Sequence, residues 1–350
     1  LGSSSYSYGF FSDNVIDFDI VLGSGEIIKK VSRTNNSDLY YGIPGTYGTM
    51  GIITRVKVKL IPCEKYVKIN YLHYTSFDNF YDDFKDIINN KKYDFIEAFA
   101  NKKEDYTIVA ADFVKKVESE KISIIKDKDI LKQRHLSIYA QIANKKKYTY
   151  LRTLDYLERY SYAAFWGHYL YTPYKIRDYV YAGLMYSLMP SKILDSSPGE
   201  GRYNISKYFH AANHIVGDYA RDEHVLATDI GVPFSKLKDA MDLTDKMTDT
   251  YPRWICPIKI EHHSDKIFCT KKPELCKDDI VFDLGIYGIK NTNISSKKIN
   301  QAFEKFSFDN GMFKGFFSTC YFTYEDFWNQ FNKEKYDKIR KKYSAEDNFM

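Results

Sequence analysis

The chain has 350 residues and a formal net charge of +5 at neutral pH, with Lys, Arg, Asp and Glu together making up 28% of it. A chain of this length buries a large core and usually forms two domains. The mild charge and the short, scattered lysine runs favour a solvated surface over a nucleic-acid interface, so no nucleic-acid partner is predicted.

The cysteines and the apolar segments exclude further classes of protein. Five cysteines without a C-x-x-C pair are typical of a reducing compartment rather than of a disulfide framework. His262–His263, Cys269 and Cys276 fit no common zinc spacing, so no metal site is predicted. No run of about 18 apolar residues exists, which excludes a transmembrane segment in this chain. Tyr179–Pro190 is apolar and aromatic and is compatible with peripheral membrane contact, although a buried helix is favoured.

The first 62 residues predict a small antiparallel sheet. Residues 15–22 and 26–32 form a strand pair around the turn Gly23–Ser24–Gly25. A third strand, 51–60, follows a polar loop that contains four glycines.

Residues 63–322 predict an α+β unit, because strands alternate with amphipathic helices. Ser76, Pro233 and Ser295 mark the starts of three helices, and a leucine stripe predicts another over 148–160. The predicted strands are 66–74, 94–100, 107–113, 225–230, 254–260, 280–287 and 316–322. This order indicates an antiparallel sheet with helices on one face. The tail, 323–350, predicts a single helix capped by Thr323, with lysines in its last turn.

The glycine-rich loop is the segment most suggestive of ligand binding. Glycines tolerate positive φ and let the backbone approach a ligand closely. A strand that begins on such a turn can aim amide N–H groups at a phosphate or a flavin ring. Spacing alone nevertheless favours an ordinary tight turn.

The residue types in this loop carry a resemblance to a known family. The pattern S-D-L-x-x-x-x-P-x-x-x-G-T-x-G-I-I-T, over 37–54, resembles the second half of the FAD-binding (PCMH-type) domain in the vanillyl-alcohol-oxidase family of flavoproteins. More narrowly, it resembles the members of that family that reduce sterol side chains. Further matches follow in order along the chain: Ser4–Gly9 (S-S-x-x-Y-G), Phe165–Trp166, Tyr251–Pro257, Asp283–Gly288 and Cys320–Trp328.

The resemblance implies a domain organisation and a set of cofactor contacts. Residues 1–62 would be the C-terminal half of the FAD-binding domain, 63–322 the substrate (cap) domain, and 323–350 a helix that packs back toward the FAD domain. The earlier pyrophosphate loop of the family is not in this sequence. The implied FAD-binding residues are Ser4, Ser5, Gly9, Gly48, Thr49, Gly51, Ile52 and Ile53.

The activity implied by the resemblance is reduction of the C24–C25 double bond of a sterol, with FAD as cofactor and NADPH as reductant. An intracellular location at the endoplasmic-reticulum membrane is implied with it. Two alternatives stay open: an FAD-dependent alcohol or polyol oxidase or dehydrogenase, and a truncated, non-catalytic homologue. The oligomeric state is not predicted.

Reduction of an unactivated alkene also requires a proton donor, because such an alkene is a poor hydride acceptor. Tyr287 is the first candidate, since it lies between glycines at the end of a predicted strand. Tyr321, on a neighbouring predicted strand, is the second. Glu97 is the third, because it is a carboxylate within an apolar strand, where burial would raise its pKa.

Overall fold

A computed structural model describes residues 2–118, 121, 141–142, 144–157, 159, 225–261, 266–269, 272, 274–290, 292–316 and 319–346. Within these residues two antiparallel sheets are present, one of three strands and one of seven. The predicted α+β class is therefore confirmed. The predicted features at Phe165–Trp166, Tyr179–Pro190 and His262–His263 lie outside the described residues.

The smaller sheet contains the three strands predicted near the N-terminus. They are β1 (Val15–Val21), β2 (Ile27–Ser32) and β3 (Ile52–Val58), in the order β2-β1-β3. A short helix, α1 (Ser5–Tyr8), and a 3-10 turn, Phe11–Asn14, precede them. A further helix, α2 (Ser37–Gly42), occupies the first part of the predicted glycine-rich loop. Its side chains Leu39, Tyr40 and Tyr41 are buried.

The larger sheet is antiparallel throughout, with the strand order β7-β4-β6-β5-β9-β10-β8. Its strands are β4 (Tyr66–Tyr74), β5 (Phe95–Lys102), β6 (Asp105–Val114), β7 (Tyr148–Arg152), β8 (Val225–Pro233), β9 (Arg253–Lys259) and β10 (Ile280–Ile289). This order brings β5, β9, β10 and β8 side by side, although they are far apart in sequence.

Three helices cover one face of the larger sheet, which we call the helical face. They are α3 (Phe77–Asn89), α5 (Leu237–Met247) and α6 (Ser296–Asp309), and a five-residue helix, α4 (Thr153–Leu157), follows β7. The aromatic stripe predicted on α3 packs into this core, where the rings of Phe84 and Phe282 stack at 5.5 Å. The opposite face of the larger sheet, here the second face, carries a separate buried cluster that includes Phe99 and Tyr287.

Two of the predicted helix positions are wrong. The stretch 148–160 begins as β7, which pairs with β4, and becomes helical only at Thr153. Leu151 is buried on the strand, whereas Leu154 and Leu157 are more than half exposed, so the leucine spacing did not mark a packed helical face. Pro233 ends β8, and after a 3-10 turn at Phe234–Lys236 the helix α5 starts at Leu237.

The C-terminal region differs from the prediction in two further ways. No strand lies among the described residues of 316–322. The single predicted tail helix is two helices, α7 (Tyr324–Gln330) and α8 (Lys333–Lys342). The break occurs because Phe331, with extended backbone, inserts its fully buried ring among other aromatic side chains. Helix α8 then packs Tyr336 and Ile339 into the core of the smaller sheet.

Candidate functional site

The glycine-rich loop connects α2 to β3 in a left-handed conformation at several positions. Gly45 and Gly48 both have φ of 85°. A Cβ on Gly45 would lie 2.9 Å from Cβ of Phe268, and one on Gly51 would lie 2.7 Å from Cδ1 of Ile20. Glycine is therefore required at 45 and 51 by the close packing of the protein itself, which the sequence argument about ligand approach did not foresee.

This loop borders a cavity of about 310 Å³, which we call the loop cavity. Three of the residues predicted to bind FAD, Gly48, Gly51 and Ile53, line it. Two other predicted residues do not line this cavity. Ile52 is 60% exposed on β3. The Thr49 hydroxyl accepts a hydrogen bond from Tyr336 Oη at 2.8 Å. The remaining lining is largely apolar and aromatic. It comes from the 3-10 turn, β1, α2, the loop itself and β3: Phe11, Ser12, Val15, Phe18, Tyr40, Ile43, Pro44, Gly45, Thr46, Tyr47 and Val56.

A second cavity of about 440 Å³ adjoins the first, and we call it the aromatic cavity. It lies between the loop, the chain just after β9 and residues 312–316. Its walls are mainly aromatic and aliphatic, and Glu261, Lys266 and Lys314 are its charged members. Five residues line both cavities: Phe11, Ser12, Pro44, Gly45 and Tyr47. An apolar cavity with a few polar groups is the usual form of a site for an apolar small molecule.

The N-terminal segment that was predicted to contact FAD packs against β9. The Ser5 hydroxyl accepts a hydrogen bond from the Gly2 amide at 3.1 Å, and Ser4 is the N-cap of α1. Gly9 closes α1 with φ of 72°. Ser4, Ser5 and Gly9 line neither of the two cavities, whereas Phe10, Phe11 and Ser12, which follow directly, do line the aromatic cavity.

Glu97 lies fully buried on β5 and on the second face of the larger sheet. Its Oε1 accepts a hydrogen bond from Arg159 Nη2 at 2.7 Å, and its Oε2 accepts one from Trp254 Nε1 at 3.0 Å. The same guanidinium nitrogen donates to the Ser3 hydroxyl at 3.0 Å, and Tyr156 Oη lies 3.0 Å from that hydroxyl. Glu97 thus ties the N-terminal segment to the sheet through Arg159.

Tyr287 is 4% exposed on β10, on the same face as Glu97. Its side chain folds back over Gly285, because a Cβ on Gly285 would lie 2.7 Å from the phenol oxygen. Across the sheet, Gly285 is opposite Asp229 on β8 and Trp254 on β9. The β-sheet therefore brings Tyr287 and Glu97 together around Trp254.

Tyr321 does not lie on a strand. Its amide donates to Glu304 Oε1 on α6 at 3.0 Å, and the fully buried Lys314 Nζ donates to the same oxygen at 3.0 Å. The segment that carries Tyr321 is therefore held against α6 beside the buried Lys314–Glu304 ion pair.

The sequence reasoning missed two buried acidic side chains on the second face, Asp229 and Asp283. Burial raises the pKa of Asp283 to about 7. Burial, and then the charge of Asp283, raise the pKa of Asp229, while Lys314 opposes that shift. Each is the single acidic residue within an otherwise apolar strand, and that pattern, used here only for Glu97, would have identified them.

Among the described residues, no group of three or more metal-ligating side chains is found, and all five cysteines are free thiols. Within the same part of the chain, no helix combines the length and the apolar character needed to cross a bilayer.

Comparison with known proteins adds the following. No family model matches the chain. It is 26% identical over 373 residues to Delta(24)-sterol reductase of Arabidopsis thaliana and 23% identical over 353 residues to Delta(24)-sterol reductase of Homo sapiens. Both alignments cover 99% of this chain and 64% of the relative, so the chain spans about two thirds of the length of these proteins.

A shorter match involves a different enzyme name. Over 100 residues, or 28% of this chain and 19% of the relative, the identity to Cytokinin dehydrogenase 4 of Oryza sativa subsp. japonica is 35%. The predicted resemblance to the sterol reductases is confirmed by the near-complete alignments, and the resemblance to the wider flavoprotein family is supported by this partial one.

Proposed function

We propose that this chain is the larger part of an FAD-dependent oxidoreductase that reduces the C24–C25 double bond of a sterol side chain, with NADPH as the reductant. The observation that carries the proposal is the alignment of 99% of the chain with Delta(24)-sterol reductases. The geometry is consistent with it, since a glycine-lined cavity adjoins a larger apolar cavity.

The residues that line the loop cavity are compatible with a planar cofactor ring. Gly48 presents bare backbone there, with no atom within 4 Å of the position that its Cβ would occupy. The aromatic walls formed by Phe11 and Tyr47 suit stacking against a ring. We infer that Gly48, Gly51 and Ile53 would contact FAD directly and that Thr49 and Ile52 would fix the loop around it. When bound, FAD supplies hydride transfer, and the protein supplies position and a proton.

The segment Ser4–Gly9 serves this site indirectly in our proposal. Ser4, Ser5 and Gly9 shape the helix α1, from which Phe10–Ser12 enter the wall of the aromatic cavity. Their role would therefore be to position that wall rather than to contact the cofactor.

We further propose that the aromatic cavity takes the sterol. Its volume lies within the range of roughly 300–1,000 Å³ that small-molecule sites occupy, and most of its wall is apolar. A substrate of this kind partitions into bilayers, so we infer a peripheral contact with the endoplasmic-reticulum membrane.

Among the three predicted acids, Tyr287 is the one that we assign to proton donation. Tyr287 lines neither cavity, but its phenol lies over Gly285 on the face of the sheet where Gly231 packs against Met312 and Phe313 of the aromatic cavity. Glu97 faces a guanidinium, and the backbone of Tyr321 is fixed to α6. We therefore propose a positioning role for both of these residues.

The experiment that tests the proposal uses the full-length protein, purified without oxygen. Under NADPH the flavin absorbance should bleach, and a sterol with a C24–C25 double bond should restore it with formation of the saturated product, detected by mass spectrometry. Bleaching by an alcohol or polyol, with reoxidation by oxygen alone, would instead identify an oxidase. Absence of any bound flavin would indicate the non-catalytic homologue.

A further inference from the structure

Two buried carboxyl groups lie side by side on the second face of the larger sheet. In the register of β8 and β10, Asp283 is opposite Gly231 and Gly285 is opposite Asp229. Directly opposed residues of an antiparallel pair point to the same face, and diagonal neighbours are within reach of one another. Asp229 and Asp283 are such diagonal neighbours. The space beside the two glycines is filled, since a Cβ on Gly231 would lie 2.7 Å from Phe313 O and one on Gly285 would lie 2.4 Å from Cε2 of Tyr287.

These carboxyl groups are shielded from water and poorly compensated. Asp229 is 2% exposed and Asp283 is 6% exposed. Within the described part of the chain, Asp229 Oδ1 is buried and has no hydrogen-bond partner. A buried acceptor without a partner is costly when it carries charge, and two adjacent carboxylates cannot both ionise cheaply.

The charged and titratable groups around the pair come from several elements. Lys314, after α6, acts on Asp229 and lowers its pKa, but less than burial and Asp283 raise it. Cys256 on β9 is opposite Asp283, and burial, then the charges of Asp283 and Glu97, raise the pKa of its thiol. Cys256 therefore stays neutral and adds no charge beside the carboxyl pair.

Tyr287 connects this pair to the proposed reaction. Its phenol oxygen lies over Gly285, the residue directly opposite Asp229. Opposed Cα atoms in an antiparallel pair are only about 4.5–5.5 Å apart. The phenol is thus placed on the same row of the sheet as the Asp229 side chain.

We propose that Asp229 and Asp283 share one proton and form a proton store that re-protonates the Tyr287 hydroxyl. The inference rests on the proposed function and deepens it. FAD, when bound, would supply hydride to one alkene carbon, and the Tyr287 O–H bond would break as a C–H bond forms at the other carbon. The phenolate then takes the proton of the carboxyl pair, and the pair regains a proton from solvent through Asp283, the more exposed of the two at 6%. Tyr287 is the proposed proton donor, and the two aspartates act through it.

The test uses the full-length enzyme and the variants Asp229→Asn, Asp283→Asn and Tyr287→Phe. Asp242→Asn, at an exposed position on α5, is the matched control. The first readout needs no turnover: infrared spectroscopy of protein labelled with ¹³C-aspartate should show a protonated carboxyl band at pH 7. That band should be unchanged in Asp242→Asn and Tyr287→Phe, and in Asp283→Asn it should be lost at a lower pH than in the wild type.

The second readout is the rate at which the pre-reduced enzyme reduces the alkene. Tyr287→Phe should lower it by about 10²-fold, and each store variant by at least about tenfold, while reduction of FAD by NADPH is unchanged. The wild-type rate should fall as pH rises through about 7, since the store must be protonated. Asp283→Asn should move that fall to lower pH, because Asp229 loses the neighbouring charge that raises its pKa.

The outcomes separate the two proposals. Absence of a protonated aspartate at pH 7, or store variants with the wild-type rate and pH profile, would overturn the proton store. A wild-type enzyme that reduces no sterol would overturn the proposed function, while the infrared band would still decide whether the pair holds a proton.

Discussion

The ion pair between Glu97 and Arg159 gives a prediction that separates a structural role from a catalytic one. The two side chains meet at 2.7 Å with exposed fractions of 0% for Glu97 and 8% for Arg159. Removing one member of such a buried pair leaves the other charge in a medium that solvates it poorly, which costs about 3–5 kcal/mol. The variant Glu97→Gln keeps the shape of the side chain and an acceptor for Trp254 Nε1. We therefore expect it to lower the free energy of unfolding by about that amount.

The assay is equilibrium denaturation by urea of wild type, Glu97→Gln, Arg159→Met and the double variant. Because the double variant removes both charges, it should recover most of the loss seen in Glu97→Gln, since a neutral pair carries no uncompensated charge. Asp242→Asn, on the surface of α5, serves as the control and should change stability by less than about 0.5 kcal/mol. If Glu97→Gln unfolds like wild type and yet loses alkene reduction, the structural reading is wrong and Glu97 acts in the chemistry.

Three further predictions follow from the loop and the carboxyl pair. Gly51→Asp should abolish retention of FAD, because its Cβ would meet Ile20 and displace the loop; a variant that keeps the yellow colour of wild type would contradict this. Burial raises the pKa of Asp283, so the stabilisation that this side chain gives the folded state is present near pH 4 and is lost as pH rises to about 7. The Asp283→Asn variant should therefore unfold at a higher urea concentration than wild type at pH 8, but not at pH 4.5. Tyr336→Phe removes a hydrogen bond to Thr49 that is worth about 0.5–1.5 kcal/mol. The variant should therefore weaken FAD binding by up to about tenfold, as measured by flavin fluorescence. Tyr324→Phe, at an exposed position, is the control and should leave FAD binding unchanged.

The local elements were predictable wherever one periodicity dominated. The alternating strand 66–74 and the aromatic stripe on α3 were both found within one residue of their predicted positions. Ser295 and Thr323 were identified as helix caps, and each side chain accepts a hydrogen bond from the amide three residues later. These signals are local, and tertiary contacts did not override them.

The errors arose where a long-range contact decides the local structure. Residues 148–152 form a strand because they pair with β4, about eighty residues earlier in the chain, and no local signal reports that pairing. The tail helix breaks because the ring of Phe331 fills a space beside Phe268, Phe313 and Phe316. Periodicity marks Phe331 as buried in either arrangement, so it could not distinguish one helix from two.

The sequence predicted residues that lie at the candidate site, but not what each of them does there. The motif in the glycine-rich loop identified Gly48, Gly51 and Ile53, which line the loop cavity. It gave no indication that helix α1, which begins at Ser5, packs against β9 instead. A motif records which positions matter to a family, whereas the reason that each matters depends on neighbours that only the fold supplies.

The second face of the larger sheet shows how such neighbours decide the chemistry of otherwise similar residues. Glu97, Asp229 and Asp283 are all buried carboxyl groups on three strands of this face. Glu97 has a guanidinium at hydrogen-bonding distance, so its negative charge is compensated in place and its position is fixed. Asp229 and Asp283 have each other as neighbours, and for such a pair the low-cost state is one that holds a proton. Burial alone therefore does not decide the role of a carboxyl group on this face: Glu97 is held by a matched cation, whereas Asp229 and Asp283 lie beside each other.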